Sequence, residues 1–289
     1  MSRKFSQLKI LSQDTAFLIS TNSERALVVS DIHIGWEVAL AEEGIHVSSQ
    51  TKRLFERLKK LLQYYKPEQL VVLGDVKHTF SKIDLEEWRD VPWFFEEVCK
   101  IVPEVKVVPG NHDGDLGALL PESVDLVSHR GIRIGNVGLF HGHTWPDVRL
   151  LECSVLVMGH VHPVVVFSDC MGFRISRQVW VLAPCKKLLL AKSVLKGNDV
   201  KVRKNENPKE VLKTKFGVTL KVESLIIIPS FNNYLGGQAI NASSISKRKK
   251  FEEFIGPVLR SGSINIKEAE AYFLDGTFLG TIERLRKMS

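Results

Sequence analysis

The sequence has little cysteine and no long apolar run, and each absence excludes a class of protein. Four cysteines in 289 residues are too few and too scattered for the disulfide framework of a small secreted domain. No stretch approaches the roughly 18 to 20 apolar residues of a membrane-spanning helix. The amino-terminal residues also lack the apolar core of a signal peptide. We therefore expect a cytoplasmic protein with reduced thiols and no membrane partner.

What the sequence does contain is an ordered series of short motifs rich in aspartate, asparagine and histidine. In chain order these are Asp31-Ile32-His33, Gly74-Asp75, Gly110-Asn111-His112-Asp113, His141-Gly142-His143 and Gly159-His160-Val161-His162. Each motif follows a short apolar run rich in β-branched residues, which predicts a buried strand. The polar side chains are therefore expected at strand ends, where α/β sheets place their sites.

The residue types in these motifs indicate a metal site. Residues two apart in an extended segment point to the same side, so Asp31 with His33, and His160 with His162, are expected to face one metal cluster. Carboxylate, carboxamide and imidazole groups are ligands that Mn(II), Fe and Zn accept. No cysteine lies in any motif, which argues against a thiolate-rich structural zinc site.

The ordered series D-x-H, GD, GNHD, HGH and GHxH resembles the calcineurin-like metallophosphoesterases over roughly the first 165 residues. Segments 30–35, 74–78 and 159–163 are similar to the stand-alone phosphoesterases related to double-strand-break-repair nucleases, and to those found beside DNA ligases and helicases. The resemblance implies an α/β fold, namely a four-layer α/β/β/α sandwich of two mixed β-sheets, in a single domain that covers residues 1–289.

The resemblance also implies two divalent metal ions, with Mn(II) favoured and Fe, Zn, Ni or Co as alternatives. The residues that it assigns to the first ion are Asp31, His33, Asp75 and His162. Those that it assigns to the second ion are Asp75, Asn111, His141 and His160. Asp75 is expected to bridge the pair, because two dications ~3.5 to 4 Å apart repel strongly unless an anionic ligand lies between them.

The predicted catalytic residues are His112, Asp113 and His78. His112 follows a predicted ligand without being one, so we expect it to protonate the leaving oxygen or to stabilise the transition state, with Asp113 orienting it. For His78 two interpretations have equal weight. In the related repair nucleases the matching histidine helps to position the scissile backbone, whereas elsewhere it would be an ordinary loop residue.

Five further residues are predicted to contact substrate. His143, the second histidine of HGH, is expected beside the metal ligands. Asn232 lies in a turn-rich loop after a strong strand, where a structural turn is the favoured alternative. Lys201, Arg203 and Lys204 belong to residues 186–215. This segment contains ten lysines and arginines and only three acidic residues, and the net charge of the whole chain is +7. Such patches attract polyanions, although a solvated lysine loop is an equal alternative. A second basic cluster lies at 247–250.

Periodicity predicts the remaining elements. A helical stripe covers 51–65, and a second helix covers 84–102 with a break at Pro92. Residues 187–194 are a strand candidate, and 195–217 are predicted as a basic loop or insertion. A β-hairpin is predicted at about 270–284, centred on the Asp-Gly pair.

Three hypotheses of function follow. The leading one is a dimetal phosphodiesterase acting on nucleic acid ends, single strands or nucleotide-type diesters, with a DNA-repair helicase or ligase as partner. The second is a phosphomonoesterase or cyclic-nucleotide phosphodiesterase with a small-molecule substrate. The third is a non-catalytic scaffold of the same fold. The complete set of metal ligands counts against this hypothesis. The sequence leaves the oligomeric state open.

Overall fold

The computed structural model of this chain describes residues 7–22, 24–80, 83–169, 171–242 and 256–288. The basic cluster predicted at 247–250 lies outside the described residues. None of the helices in the described ranges combines the length and the apolarity that a bilayer crossing requires.

The first sheet is built from the amino-terminal part of the chain and has six strands in sequential order. They are β1 (Leu8–Ile10), β2 (Phe17–Ser20), β3 (Arg25–Val29), β4 (Gln69–Leu73), β5 (Glu104–Val108) and β6 (Val124–Leu126). β1 to β3 pair antiparallel, whereas β3 to β6 pair parallel. The helices of this part are α1 (Trp36–Glu42), α2 (Thr51–Tyr65) and α3 (Leu85–Cys99).

The second sheet contains nine strands among the described residues, and its main path runs in the order β13-β10-β11-β12-β9-β8-β7. The strands are β7 (Ile132–Ile134), β8 (Val137–Phe140), β9 (Val155–Met158), β10 (Pro163–Ser168), β11 (Arg174–Pro184), β12 (Ser224–Ile227), β13 (Gln238–Ala239), β14 (Glu270–Phe273) and β15 (Phe278–Thr281). β8, β9 and β12 are parallel neighbours. The accompanying helices are α4 (Lys187–Gly197), α5 (Pro208–Phe216), α6 (Pro257–Arg260) and α7 (Ile282–Met288).

Three apolar clusters define the layers. In β4, Val71 and Leu73 pack into a cluster with Leu139 and Val157 of the second sheet, so this cluster lies between the two sheets. Leu70 and Val72, on the other face of β4, belong to a cluster with α2 and α3. A third cluster packs the second sheet against α4, α5, α6 and α7. Strand alternation thus buries both faces of each sheet, and the predicted α/β/β/α sandwich is confirmed.

The strand predicted at 187–194 is wrong, because these residues lie in α4. The run Leu188-Leu189-Leu190 satisfies either periodicity, but the fully buried positions are Leu190, Ala191, Val194 and Leu195, which is the spacing of a helix face. The segment predicted as a basic loop, 195–217, contains the end of α4 and all of α5. Asn207 begins α5 by accepting a hydrogen bond from the Lys209 amide, and Pro208 follows at the first turn.

The helix break predicted at Pro92 is also wrong, since α3 runs without interruption from Leu85 to Cys99. A proline inside a helix costs about 3 kcal/mol. On the same helix Val91, Phe94, Phe95 and Val98 are fully buried, and each such burial contributes about 1.5 to 3 kcal/mol. Packing therefore outweighs the lost hydrogen bond.

The carboxy-terminal hairpin forms where Asp275 and Gly276 join β14 to β15. Gly276 adopts a φ of 89°, which a residue without Cβ tolerates. The Asp275 carboxylate accepts a hydrogen bond of 2.8 Å from the Thr277 amide and so closes the turn.

Candidate dimetal centre

The predicted ligands lie just beyond the ends of strands from both sheets. Asp31 and His33 follow β3, Asp75 follows β4 and Asn111 follows β5, all in the first sheet. The residues that follow strands of the second sheet are His141 after β8, and His160 and His162 after β9. Because the two sheets pack face to face, these ends meet at one rim, and the polar residues are brought together there.

Two sets of ligand atoms share Asp75. The candidate donor atoms of Asp31, His33, Asp75 and His162 all lie within 4.8 Å of one another. Those of Asp75, His141 and His160 do the same. Asp75 Oδ2 lies 3.5 Å from His33 Nε2 of the first set and 3.3 Å from His141 Nε2 of the second. Asp75 therefore lies between the two sets, and its bridging role stays a prediction.

Asn111 joins the second set through its carboxamide. Its Oδ1 lies 3.3 Å from His141 Nε2. His141 donates from Nδ1 to the Leu73 carbonyl oxygen at 2.8 Å, so Nε2 is the nitrogen that faces Asn111 and Asp75. Burial acts to lower the pKa of this ring, but the Asp75 and Asp31 carboxylates outweigh it and raise the pKa to about 9, so a metal ion bound here would have to displace a proton. A backbone carbonyl that fixes the tautomer in this way is a common arrangement for a metal-binding histidine.

The residues present fit two divalent ions. His33 Nε2 is buried and has no hydrogen-bond partner among the described residues, which is the state expected of an imidazole nitrogen directed at a metal. Burial lowers the pKa of His33 to about 3. Burial and the neighbouring His141 lower the pKa of His160 to about 4. Both rings are therefore neutral near pH 7, as metal ligation requires.

The two carboxylates supply the negative charge of the centre. Burial acts to raise the pKa of Asp31, but His162 and His141 outweigh it and the pKa is lowered. Burial acts in the same sense on Asp75, yet His141 and His33 hold its pKa well below the ordinary value. Both residues are thus anionic at neutral pH, as expected for ligands that balance the charge of two cations.

Tight backbone turns, rather than extended segments, make the paired ligands converge. Positive φ values between 47° and 70° occur at Asp31, His33, Asp75, His160 and His162. The expectation that each D-x-H and H-x-H pair lies on extended backbone is therefore wrong. A left-handed conformation costs an L-residue roughly 1 to 2 kcal/mol, and such strain concentrates at functional sites.

Two glycines permit the close approach of these turns. A Cβ on Gly74 would overlap the His141 ring, and a Cβ on Gly110 would overlap the Asp75 carboxylate. The glycines of GD and GNHD are therefore part of the site, since any larger residue would displace a candidate ligand.

His112 lies at the rim of this centre. Its backbone N–H donates to Asp75 Oδ1 at 3.0 Å, and its Nε2 lies 3.9 Å from Asp75 Oδ2. Its Nδ1 donates to the His78 carbonyl oxygen, and the Phe80 ring lies against it with centroids 3.6 Å apart. The Nδ1 side of the ring is therefore held by the backbone, and Nε2 faces the metal ligands and the cleft.

The prediction that Asp113 orients His112 is wrong. The Asp113 carboxylate instead accepts backbone hydrogen bonds from Val76 at 2.8 Å, Lys77 at 3.3 Å and Gly110 at 2.7 Å. It therefore ties the loop after β4 to the loop after β5. The turn of the GNHD motif directs this side chain back toward amide groups, which a buried carboxylate needs as partners. Burial and Asp75 raise the pKa of Asp113 to about 6.

His78 contacts two site residues. Its Nδ1 lies 3.3 Å from His33 Nδ1, and its carbonyl oxygen accepts the bond from His112. Since His33 has only Nε2 left for a metal, the contact with His78 fixes which nitrogen of His33 faces the centre.

Glu87 is a residue that sequence reasoning missed. This fully buried carboxylate accepts hydrogen bonds from the amides of His78 and Thr79, both at 2.9 Å, and from the Thr79 hydroxyl at 2.5 Å. It also accepts the Asp84 amide at 3.2 Å, as the capping box of α3. The Asp84-to-Glu87 spacing was the available signal, but it does not reveal the contacts with the His78 loop.

The predicted substrate contact of Asn232 is wrong. Asn232 is completely buried, and its amide group donates to the Ile32 carbonyl and accepts from the Tyr234 amide, each at 3.0 Å. Ser230 donates to the Asp31 carbonyl at 2.7 Å. This loop therefore supports the D-x-H turn from behind.

Two clefts meet at His160. The first, of about 670 Å³, opens over His33, Asp75 and His112 and is walled by Gly236 and Gly237. The second has a volume of about 610 Å³. Its principal lining residues are His129, Arg130, His143, Trp145, His160 and Arg260.

Of the other predicted contacts, His143 lies in the second cleft, and the three basic residues do not line it. His143 lines it, with its ring centroid 5.3 Å from that of His141. Lys201, Arg203 and Lys204 lie between α4 and α5, on the segment that follows Gly197 of the cleft wall. Arg203 Nε lies 3.9 Å from Glu206 Oε1.

Comparison with known protein families agrees with this geometry. Residues 24–164 match the family model described as Calcineurin-like phosphoesterase. This region is a calcineurin-like phosphoesterase domain. All seven candidate ligands, from Asp31 to His162, lie within it. The calcineurin-like phosphoesterases are dimetal-dependent, and the chain is a metal-dependent phosphoester hydrolase.

Two solved structures are similar to this chain. A nuclease MPE from Pseudomonas putida has 18% identity and a TM-score of 0.44, over 93% of this chain and 97% of that one. A phosphoesterase YfcE from E. coli has 23% identity and a TM-score of 0.32, over 50% of this chain and 73% of that one. No curated protein gives a significant sequence match.

Proposed function

We propose that this chain is a two-metal phosphodiesterase that cleaves nucleic acid or nucleotide substrates, with Mn(II) as its metal. The observation that carries the proposal is the pair of clefts that meet at His160. A phosphomonoester has one substituent to accommodate, whereas a diester has a substituent on each side of phosphorus. Space on both sides of the candidate metal centre supports the diester.

The ligands divide into the two sets described above, joined by Asp75. When bound, two divalent ions lower the pKa of a water to supply hydroxide near neutral pH and neutralise the charge on the phosphoryl oxygens. The chain itself contributes the bridging carboxylate, and its strained turns fix the ligand positions before substrate arrives.

His112 is the proposed donor to the leaving oxygen. Because Nδ1 already donates to the His78 carbonyl, the transferable proton is carried on Nε2 of the protonated ring. That nitrogen lies on the side of Asp75 and of the first cleft. We therefore place the leaving group in the first cleft, where the nearby Phe80 ring, 60% exposed, offers an apolar surface.

Charge supports a polyanionic substrate. The chain has a net charge of +7, and Lys201 and Lys204 are exposed on the segment that follows the second cleft. Exposed cations of this kind increase the local concentration of nucleic acid and its rate of association.

A panel of metals and substrates tests the proposal. Purified chain would be assayed with Mn(II), Fe(II), Zn(II), Ni(II) and Co(II) on bis-p-nitrophenyl phosphate, p-nitrophenyl phosphate, cyclic nucleotides and labelled DNA and RNA. We expect the highest kcat/KM with Mn(II), at least tenfold faster hydrolysis of the diester than of the monoester, and cleavage of a labelled strand. Faster hydrolysis of the monoester, or hydrolysis of cyclic nucleotides alone, would contradict it.

A further inference from the structure

The second cleft is lined by positively charged residues that have no role in the proposed hydrolysis. Two arginines, Arg130 and Arg260, lie in its wall together with His129 and His143, and its described lining includes no carboxylate. Guanidinium groups bind phosphate through paired hydrogen bonds. The cleft therefore has the charge of a phosphate-binding surface directly beside the metal centre.

Contacts within the chain hold the wall of this cleft in place without a ligand. Arg130 Nη1 donates to Asn198 Oδ1, and the Asn198 amide in turn donates to the Val194 carbonyl at 2.8 Å. Gly197 lies so close to the Trp145 indole that a Cβ there would overlap the ring. The end of α4 thus fixes both an arginine and an aromatic wall.

Asp147 is an acidic residue whose backbone N–H donates to the Arg130 carbonyl oxygen at 2.9 Å. Asp147 accepts hydrogen bonds from Arg149 Nε at 2.8 Å and Arg149 Nη2 at 2.6 Å. Arg149 lowers the pKa of Asp147 most strongly and Arg130 contributes less, so Asp147 pairs chiefly with Arg149 rather than with Arg130.

His143 connects the cleft to the centre. Its Nδ1 is buried and has no hydrogen-bond partner in the described part of the chain. The His143 and His160 rings have centroids 6.2 Å apart. A buried, unpaired nitrogen beside a cleft is a costly feature unless a ligand or water completes it.

We propose that the second cleft binds the phosphate next to the scissile one in a nucleic acid strand, on the side away from the leaving group, through Arg130 and Arg260. This inference rests on the proposed function, because the first cleft is assigned to the leaving group. The strand beyond that phosphate passes Gly197 and reaches the basic segment that follows α4. The substrate class is therefore an oligonucleotide with at least two adjacent phosphates.

The test compares two trinucleotides that differ at one linkage. Product analysis first identifies the leaving side of the cleaved bond. The neighbouring linkage on the other side is then either a natural phosphate or an uncharged methylphosphonate. Full-length Mn(II)-loaded chain should prefer the natural trinucleotide by ~10-fold or more in KM, since a charged hydrogen bond contributes about 1.5 to 3 kcal/mol.

Variants assign that preference to the cleft. In Arg130→Gln combined with Arg260→Gln, the ratio of the KM values of the two trinucleotides should fall to about 1, because the KM of the natural trinucleotide rises toward that of the methylphosphonate. Arg174→Gln removes the same type of side chain at an exposed position of β11, outside the cleft, and should keep the preference. Thermal unfolding by circular dichroism shows whether each variant is folded, and the single variants replace the double variant if it is not.

The outcomes separate this inference from the proposed function. A natural preference that survives in Arg130→Gln and Arg260→Gln, or a wild-type chain indifferent to the methylphosphonate, would overturn the cleft assignment while leaving hydrolysis intact. A chain that hydrolyses neither bis-p-nitrophenyl phosphate nor either trinucleotide would overturn the proposed function. In that case binding of the two trinucleotides, measured by calorimetry, still decides whether the cleft recognises the charged linkage.

Discussion

The floor of the site and the walls of its clefts are built differently. On the floor, Asp31, His33, Asp75 and His141 are at most 3% exposed, and their contacts are with backbone groups, with one another and with neighbouring polar side chains. The walls consist of half-buried or exposed side chains such as Arg130 and Phe80. The floor thus determines the chemistry before substrate binds, whereas the walls determine which substrate binds.

The difference follows from where each part lies in the fold. The floor lies at the ends of central strands of two packed sheets, where backbone from both sheets restricts movement. The walls come from chain connections such as the loop after β4 and the end of α4. We therefore expect floor variants to reduce kcat for every substrate, and wall variants to change KM for particular substrates. Four predictions test this division, from the largest effect to the smallest.

Asp75→Asn should produce the largest loss. A neutral carboxamide cannot screen two cations at close range, so we expect kcat to fall by a thousandfold or more on every substrate, as roughly expected when a two-metal site is disrupted. Metal analysis should find fewer than two equivalents per chain. Activity near that of the wild type at saturating Mn(II) would contradict the bridging role of Asp75.

His112→Ala should reduce kcat by about a hundredfold or more while metal content is retained, because general acid catalysis contributes roughly 10²- to 10⁴-fold. The loss should shrink for p-nitrophenyl leaving groups, which depart without a proton. His46→Ala, outside every motif, is the control and should leave kcat unchanged. Equal losses on good and poor leaving groups, or emptied metal sites, would show that His112 is structural or a ligand.

Asp113→Ala separates a positioning residue from a catalytic one. Removing the carboxylate leaves up to three backbone amides unpaired, so we expect the free energy of unfolding to fall by about 2 to 5 kcal/mol. Chemical denaturation measures this. His112→Ala should keep nearly the wild-type stability, and an Asp113→Ala chain as stable as the wild type would argue against the loop-tying role.

Neutralising Lys201, Arg203 and Lys204 together should have the smallest effect. Binding of a labelled single strand should weaken, and the slope of log K against log salt should drop by about 2, since each phosphate contact contributes about 0.7. Hydrolysis of bis-p-nitrophenyl phosphate should be unaffected. The control removes three exposed charges elsewhere, at Lys267, Arg284 and Lys287. An unchanged slope would make the basic segment an ordinary solvated surface.

The sequence predicted the floor better than the walls. Motifs at strand ends are a local signal, and the family resemblance assigned the ligands that the structure brings together around Asp75. Asp113 and Asn232 are polar residues beside ligands, and nothing local distinguishes a side chain that faces a cleft from one that turns back to bind amides. Glu87 and Arg130 reach the site through tertiary contacts that no short motif encodes. Glu87 bonds to His78, 9 residues away, and Arg130 bonds to Asn198, 68 residues away.

Anomalous diffraction from crystals grown with Mn(II) tests the central claim most directly. The account predicts two manganese peaks about 3.5 to 4 Å apart, one within the set of Asp31, His33 and His162 and the other within the set of Asn111, His141 and His160, with Asp75 between them. A single peak, or peaks that do not share Asp75, would contradict the dimetal centre described here.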